Sequence, residues 1–220
     1  MMNQIIMDNI QKTKLVYVLP EYDPKTPTHF AHLYDFIKEA AKFFDIFLLV
    51  EKGASPSDLN LPKIYAQKFR FLPLRFLENL CVIKFARLKG YKNFYIHYSF
   101  VSAFNASLVA KIFGGNVFYW NCGLPWKYKR GFLREIFEKQ VYHLINFLVT
   151  GTESLKIEYA EHYKIHLNKI KVMPNWIDLE KLKIQSSNVK TKEIKKILNI
   201  SENRKVVLFV HRLSRRKGAH

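Results

Sequence analysis

The sequence predicts an α/β fold with a doubly wound parallel sheet. Short runs of apolar, β-branched residues recur along the chain, each of a length suited to a strand buried on both faces. Longer segments with apolar residues at helical spacing lie between these runs. Turn-forming Pro, Gly and Asn residues separate the two kinds of segment. Strands that alternate with helices in this way form parallel sheets.

The first fifty residues predict one βαβ unit, a Rossmann-like beginning. KLVYVL at 14–19 predicts a buried strand, and DIFLLV at 45–50 predicts a second one. Between them, Thr26 and Pro27 are suited to begin a helix, because proline is tolerated at the first helical position. The loop after the first strand has no GxGxxG motif, which argues against a dinucleotide enzyme.

The alternation continues to about residue 173. Residues 55–61 are predicted to be a loop, and the next helix carries an apolar stripe and ends at Gly90. That stripe consists of Leu74, Leu77, Cys81, Phe85 and Leu88. Further strands are predicted at 94–97, 116–120, 147–150 and 170–173, and further helices at 101–113, 133–145 and 154–163.

The composition changes near residue 180. Residues 180–204 are rich in Lys, Ser, Asn and Gln, which predicts a basic linker with one short helix at 192–198. KVVLFV at 205–210 predicts a new buried strand, and a basic loop with Arg212 and Lys217 follows it. We therefore expect a first domain over 1–179, the linker over 180–204, and the truncated start of a second domain over 205–220.

The formal net charge of +18 implies an anionic partner, unless the basic residues serve solubility alone. Nucleic acid, anionic lipid and phosphorylated substrates are the three candidates. A nucleic-acid-binding module is disfavoured because no RRM, KH, helix-turn-helix or zinc pattern is present. The two cysteines, Cys81 and Cys122, are far apart, which predicts reduced thiols in a cytoplasmic protein. No metal site is expected, since His162 and His166 are four apart without a third ligand.

Three motifs resemble nucleotide-sugar glycosyltransferases of family 4, whose GT-B fold has two Rossmann-like domains. HRLSRRKG at 211–218 is similar to the family's G-R-L-x-x-x-K-G, with His211 in place of the first glycine. VMPNWID at 172–178 is similar to the family's V-I-P-N-G-V-D turn, with Trp176 in place of the glycine. TGTES at 150–154 lies where the family often has a V-x-x-x-S strand end.

The resemblance implies a retaining glycosyltransferase that moves a sugar from a nucleotide-sugar donor to a lipid-linked or glycan acceptor, as in the synthesis of cell-envelope glycans. It implies that the first domain binds the acceptor, that the second binds the nucleotide, and that no metal or other cofactor is required. Arg212 and Lys217 would bind the donor diphosphate, as two cations at a strand-to-helix phosphate site. The family's E-x7-E segment would lie beyond His220, so the chain is expected to be incomplete and inactive alone.

The candidate site residues follow predicted strands. His97 ends its strand and is a candidate to orient an acceptor hydroxyl; the alternative is a histidine that only hydrogen-bonds at a strand end. In the family the loop after the strand at 116–120 often carries a histidine that contacts the donor sugar, and here Asn121 and Cys122 occupy that place. The donor and acceptor cleft is predicted to include Asn121, Cys122, Gly123 and Thr152.

A basic and apolar segment at 68–92 predicts docking on an anionic membrane. It holds seven basic residues and one acid, with more apolar residues than one core-facing stripe needs. Basic residues beside exposed apolar ones are typical of interfacial helices. We expect membrane contacts from Arg75, Lys84, Arg87 and Lys89, a second contact around Trp126, and a peripheral location on the inner face of the cell membrane. The alternatives are a core helix with a solvated basic face and a non-catalytic membrane-surface scaffold.

Overall fold

A seven-stranded sheet forms the centre of the computed structural model, which describes residues 12–23, 31–129, 131–176, 179, 191–201 and 203–206. All neighbouring strands run parallel, in the order β3-β2-β1-β4-β5-β6-β7. The strands are β1 (Thr13–Leu19), β2 (Phe44–Val50), β3 (Lys63–Ala66), β4 (Asn93–His97), β5 (Asn116–Trp120), β6 (Phe147–Thr150) and β7 (Ile170–Val172).

This strand order confirms the doubly wound α/β prediction. The chain builds outward from β1 to β3, and then returns to build outward from β4 on the other side of β1. The order therefore reverses between β1 and β4. In open parallel sheets this switch point opens a crevice at the carboxyl ends of the strands, where ligands bind.

Helices cover both faces of the sheet. They are α1 (Ala31–Ala40), α2 (Leu72–Leu88), α3 (Phe100–Phe113), α4 (Phe132–Leu144) and α5 (Glu153–Tyr163). The short helix α6 (Thr191–Ile197) belongs to a separate unit of the chain. Residues such as Val16 and Ile96 pack with α2 to α5 in one core. Tyr17 and Leu48 point the opposite way and pack with α1 in a second core. This alternation follows from the two-residue period of a strand.

Capping residues account for where several helices begin. Ser99 precedes α3, and its hydroxyl accepts a hydrogen bond from the Ser102 amide at 3.2 Å. Thr152 precedes α5 and accepts from the Leu155 amide at 3.2 Å. Pro73 lies in the first turn of α2, where its missing N–H costs no helical hydrogen bond.

The segment 55–90 contains one strand that was not predicted, and its helix exposes apolar side chains, as the excess of apolar residues predicted. The strand β3 was missed, because it is only four residues long, follows Pro62 and lies at the sheet edge. The apolar stripe on α2 faces solvent rather than the core: Leu77 is 54% and Phe85 53% exposed. The buried side of α2 instead carries Glu78, Asn79, Ile83 and Ala86. Polar partners on neighbouring elements, described below, make that burial possible.

Several predicted features lie outside the described residues. These are the helix start at Thr26 and Pro27 and the diphosphate-binding pair Arg212 and Lys217. Of the strand predicted at 205–210, only residues 205 and 206 are described, and they are not in a strand. The short helix predicted at 192–198 is present as α6. None of the helices in the described part of the chain has the length and apolar character that a membrane span requires.

Candidate functional site

An aromatic group surrounds His97 at the switch point; we define the aromatic site as His97, Tyr98, Trp120 and Cys122. His97 ends β4 as predicted and lies opposite Trp120 of β5 in the strand register. The two rings stack with centroids 4.1 Å apart and planes 13° apart. His97 is only 1% exposed. The imidazole is therefore held in one orientation by its neighbours.

Tyr98 closes this group from the side. Its ring stands edge-on to Trp120 at 4.9 Å, and its hydroxyl contacts the Cys122 Sγ at 2.7 Å. The Tyr98 backbone has φ +57°, a left-handed conformation that is uncommon for residues other than glycine. Burial, and then the contact with Cys122, raises the pKa of Tyr98. The neutral, protonated form of the Tyr98 hydroxyl is therefore favoured.

The crevice above His97 is nearly filled in this structure. Tyr17, Phe36, Tyr95 and the segment from Met173 to Trp176 enclose a space of about 10 Å³ beside the imidazole. That is about the space that one water molecule needs. The role predicted for His97, orienting an acceptor hydroxyl, stays a prediction. The geometry places it at the strand end and switch point that the prediction requires.

The loop after β5 is shaped by Asn121. Its side-chain amide donates to the hydroxyls of Tyr119 at 3.3 Å and Tyr142 at 3.1 Å, and its Oδ1 accepts from the Gly123 amide at 2.9 Å. The Gly123 carbonyl in turn accepts from the Tyr159 hydroxyl at 2.8 Å. The Asn121 side chain is therefore buried in a network that fixes the loop.

The predicted cleft residues lie at the carboxyl ends of two neighbouring strands, and their role in a cleft stays a prediction. Asn121, Cys122 and Gly123 follow β5, and Thr152 follows the adjacent strand β6. Thr152 is exposed, and its hydroxyl also lies 3.0 Å from that of Ser154. Cys122 is half-buried. Cys122 and Gly123 thus lie on the loop after β5, and Thr152 lies on the neighbouring loop, just before α5.

A second region, which sequence reasoning did not assign to the site, lies at the carboxyl ends of β2 and β3. It is a cavity of about 580 Å³, which we call the basic cavity. Its lining residues are Glu51, Lys52, Gly53, Gln67, Lys68, Phe69, Arg70 and Arg75. Lys52 follows the strand predicted at 45–50, which was the one local signal for this region, whereas the strand before Lys68 was not predicted.

Glu51 lies in the wall of the basic cavity. Its carboxylate accepts hydrogen bonds from the hydroxyls of Ser99 and Ser102. Burial raises the pKa of Glu51, and the two serine hydroxyls and the positive charges of Arg75 and Lys52 oppose that rise only in part. The neutral form of this carboxyl is therefore favoured relative to an exposed glutamate.

Glu78 explains why α2 turns a charged residue inward. Its carboxylate accepts from the backbone amides of Lys68 at 2.8 Å and Phe69 at 3.2 Å, and from the Tyr65 hydroxyl at 2.9 Å. Burial acts to raise the pKa of Glu78, but these hydrogen bonds outweigh it and leave the pKa lowered. The ionised carboxylate therefore holds the segment after β3 against α2.

The four residues predicted to meet a membrane differ in their surroundings. Arg75 lines the basic cavity. Arg87 is engaged within the fold: its Nε donates to the Gly114 carbonyl at 2.6 Å and another guanidinium nitrogen donates to the Phe113 carbonyl, at the end of α3. Lys84 on α2 and Lys89 just after its end are exposed. Their Nζ atoms lie 5.9 and 5.5 Å from the ring centroids of Phe113 and Phe85.

Trp126 does not provide the protruding ring of a second membrane contact. It is half-buried, stacks on His162 at 4.7 Å and stands edge-on to Tyr159 at 5.0 Å. It therefore belongs to the packing between the loop after β5 and α5. Among the described residues, the search for three or more His, Cys, Asp or Glu side chains positioned to hold a metal ion found none.

Comparisons with known proteins identify relatives by fold. No family model matches the sequence, and no curated protein matches it. Solved structures do match. UDP-GlcNAc 2-epimerase from Methanocaldococcus jannaschii is 21% identical with a TM-score of 0.56, over 86% of this chain and 54% of that one. A glycosyltransferase from Rickettsia africae is 15% identical with a TM-score of 0.60, over 88% and 51%.

A third match is the Anabaena protein HepE in complex with UDP-glucose, 10% identical with a TM-score of 0.58, over 84% of this chain and 49% of that one. The chain therefore shares its Rossmann-like α/β fold with these three structures. It spans about half the length of these structures.

Proposed function

We propose that this chain is the acceptor-binding part of a glycosyltransferase that moves a sugar from a nucleotide-sugar donor to a lipid-linked or glycan acceptor, with retention of anomeric configuration. The observation that supports it is the parallel sheet with its switch point at β1 and β4, a fold shared with a structure that holds UDP-glucose. The motif resemblance at 172–178 and 211–218 favours transfer by a family 4 type of enzyme.

The chemistry of such a transfer assigns different work to different residues. The departing nucleoside diphosphate gains negative charge in the transition state, and positive side chains stabilise it most effectively. By resemblance, Arg212 and Lys217 would do so. His97, held by Trp120, would orient the acceptor hydroxyl at the switch point. No metal is needed in this proposal, because the cations supply the compensating charge.

An epimerase is the second candidate, because a UDP-GlcNAc 2-epimerase is 21% identical over 86% of the chain. The two functions differ in one requirement. A transferase needs an acceptor and releases the nucleotide, whereas an epimerase rearranges the nucleotide-sugar without any acceptor. Acceptor dependence therefore separates them.

The test is transfer of labelled sugar from UDP- and GDP-sugars to lipid-linked acceptors. It should be run with the 220-residue chain and with the complete reading frame that contains it. We expect the complete protein to label lipid only when acceptor is present, and the 220-residue chain to show no turnover. Acceptor-independent conversion of the nucleotide-sugar would replace this proposal with the epimerase. No reaction from either protein would favour a non-catalytic scaffold.

We also propose that the domain docks on the anionic inner face of the cell membrane through α2. The supporting observation is the row of exposed apolar side chains along this helix, which includes Leu77, Phe85 and Leu88. Lys84 and Lys89 lie beside them and are exposed. The rings and aliphatic chains would enter the headgroup boundary, and each cation near lipid phosphates contributes about 1 kcal/mol.

Liposome co-sedimentation tests the docking with two matched double variants. The first variant, Lys84→Glu/Lys89→Glu, reverses two exposed charges on or just after α2. The second, Lys38→Glu/Lys42→Glu, reverses two exposed charges on or just after α1, which packs on the other face of the sheet. We expect the first variant to co-sediment with anionic vesicles less than wild type does, and the second variant to co-sediment as much as wild type does. Equal sedimentation with neutral and anionic vesicles, or equal loss in both variants, would contradict docking through α2. Salt-sensitive binding to RNA or DNA at sub-micromolar affinity would favour the nucleic-acid alternative instead.

A further inference from the structure

The basic cavity gathers positive charge from three separate elements of the fold. Lys52 follows β2, Lys68 and Arg70 follow β3, and Arg75 belongs to the first turns of α2. Among the lining residues, Glu51 is the acid, and its carboxyl is directed at Ser99 and Ser102. Like charges that line one concave wall repel each other and attract anions. An anion bound between them would remove that repulsion.

The backbone that carries these cations is held in place on the side of β2. The Tyr22 amide donates to the Lys52 carbonyl at 3.0 Å, and the Ala54 amide donates to the Tyr22 carbonyl at 3.2 Å. Gly53 lies between these two bonds with φ +95°, and a Cβ there would lie 1.9 Å from the Tyr22 carbonyl oxygen. The close approach of the two loops therefore requires glycine.

Hydrogen bonds also hold the segment after β3 in place. The Glu78 carboxylate binds the amides of Lys68 and Phe69, as described above. Gln67 donates from its side chain to the Arg75 carbonyl at 2.9 Å, which ties the segment after β3 to the first turns of α2. The wall is therefore preorganised, so a ligand would pay little ordering entropy for the backbone on binding.

The size and charge of the cavity select the class of ligand. A volume of about 580 Å³ lies within the range of small-molecule sites and exceeds what a phosphate or diphosphate fills. Arginine side chains match phosphate oxygens in a two-pronged geometry, and lysine contributes a point charge. The remaining space suits a sugar attached to the phosphate.

The surroundings of the cavity favour a lipid-borne phosphate over a free one. Three apolar residues at or just beyond the rim of the cavity are exposed: Phe69, Phe71 and Leu72. Phe71 is 67% exposed. These residues offer an apolar surface beside the cations, at the start of α2. An amphiphile with a phosphate head and an apolar tail would satisfy both surfaces at once.

We propose that the basic cavity binds the phosphate or diphosphate group of the acceptor, with Lys68, Arg70 and Arg75 as the principal contacts. That the ligand is the acceptor rests on the proposed function. The binding itself is independent of donor, turnover and the rest of the protein. It adds a specificity determinant to the acceptor side: an acceptor with a charged phosphate is preferred to a neutral glycan.

Isothermal titration of the 220-residue chain with three probes tests the inference: inorganic pyrophosphate, farnesyl diphosphate and farnesol, the farnesyl compounds below their micelle-forming concentrations. We expect the two diphosphates to bind and farnesol not to bind at the same concentrations. Tighter binding of farnesyl diphosphate would identify a lipid as the source of the phosphate. Equal binding of the two diphosphates would identify a free phosphate group. Both outcomes support the site.

Two single variants and one matched control locate the binding. Arg75→Gln and Lys68→Gln each remove one cavity charge and should weaken pyrophosphate binding about tenfold, which corresponds to about 1.4 kcal/mol. Lys84→Gln removes the same charge from α2 outside the cavity and should leave the affinity within about twofold. Circular dichroism checks that each variant is folded. Absence of pyrophosphate binding by the wild-type chain, or equal weakening by Lys84→Gln, would overturn the assignment.

These results are separable from the proposed function. Pyrophosphate binding that depends on Arg75, in a protein that transfers no sugar, would leave the cavity assignment standing and remove the transferase. Transfer activity that Arg75→Gln and Lys68→Gln leave unchanged, together with absent pyrophosphate binding, would do the reverse. Liposome binding adds a third readout, because Lys84 contributes there and not in the cavity.

Discussion

The two regions at the carboxyl edge of the sheet are built in opposite ways. The aromatic site packs rings against one another around His97 and leaves a space of about 10 Å³. The basic cavity is about 580 Å³ and is lined mainly by charged side chains on pinned loops. Aromatic rings gain free energy from stacking and burial, so they close a site. Like charges repel each other, so the basic side chains stay apart and leave space for an anion in the basic cavity.

In the transferase that we propose, this difference would separate two tasks. The aromatic site fixes the orientation of one imidazole at the switch point, which is a positioning task. The basic cavity offers charge and volume, which is a binding task. Ser99 links the two regions: it follows His97 and Tyr98 in the chain, caps α3, and donates to the Glu51 carboxylate. Ser99 therefore connects the two regions, through the chain to His97 and through a hydrogen bond to Glu51.

The largest effect should come from breaking the aromatic site. Trp120→Ala removes the ring that stacks on His97 and stands edge-on to Tyr98. Replacing a buried aromatic residue with alanine leaves a cavity and costs about 3–5 kcal/mol. We expect the free energy of unfolding, measured by urea denaturation, to fall by that amount.

The control for this change is Phe132→Ala, which truncates an aromatic residue that is exposed on α4. Exposed substitutions without special contacts usually change stability by no more than about 0.5 kcal/mol. A loss below about 1 kcal/mol in Trp120→Ala, or an equal loss in both variants, would show that the aromatic site does not depend on this stack.

A smaller effect, of opposite sign, should come from the basic cavity. The folded state holds the proton of Glu51 more tightly than the unfolded chain does, because burial raises the pKa above its ordinary value of 4.5. The stabilising effect of this proton is therefore fully present below pH 4.5 and is lost as pH rises through the raised pKa of the folded state. Glu51→Gln keeps a neutral group at every pH and should make the protein more stable than wild type at pH 7.

Urea denaturation between pH 4 and pH 7 measures this effect. We expect the difference between Glu51→Gln and wild type to grow with pH and to stay below the change caused by Trp120→Ala. Glu161→Gln is the matched control, because Glu161 is exposed on α5. This exposed substitution should change the free energy of unfolding by no more than about 0.5 kcal/mol. A Glu51→Gln variant that is less stable than wild type at pH 7 would show that the ionised carboxylate contributes to the fold.

Most of the sheet was predictable from the sequence, because buried parallel strands are apolar on both faces. β1, β2, β4, β5 and β6 appear as continuous apolar runs, and all lie inside the sheet. β3 was missed because it is an edge strand of four residues and its residues are only partly buried. The other edge strand, β7, was predicted because Ile170, Val172 and Met173 are apolar, whereas β3 begins with Lys63 and follows Pro62.

The sequence alone determined that this chain is a doubly wound α/β domain with His97 at a strand end, since these properties depend on local apolar patterns and on chain order. Only the tertiary structure decided which side of α2 is buried. An apolar stripe on a helix normally faces the core, but Glu78 and Asn79 of α2 find partners on Lys68, Ser102 and Asn105. Those hydrogen bonds join segments far apart in the chain, and they turn the apolar stripe outward. For the same reason, the gathering of Lys52, Lys68 and Arg75 into one cavity depends on strand order, which no local pattern contains.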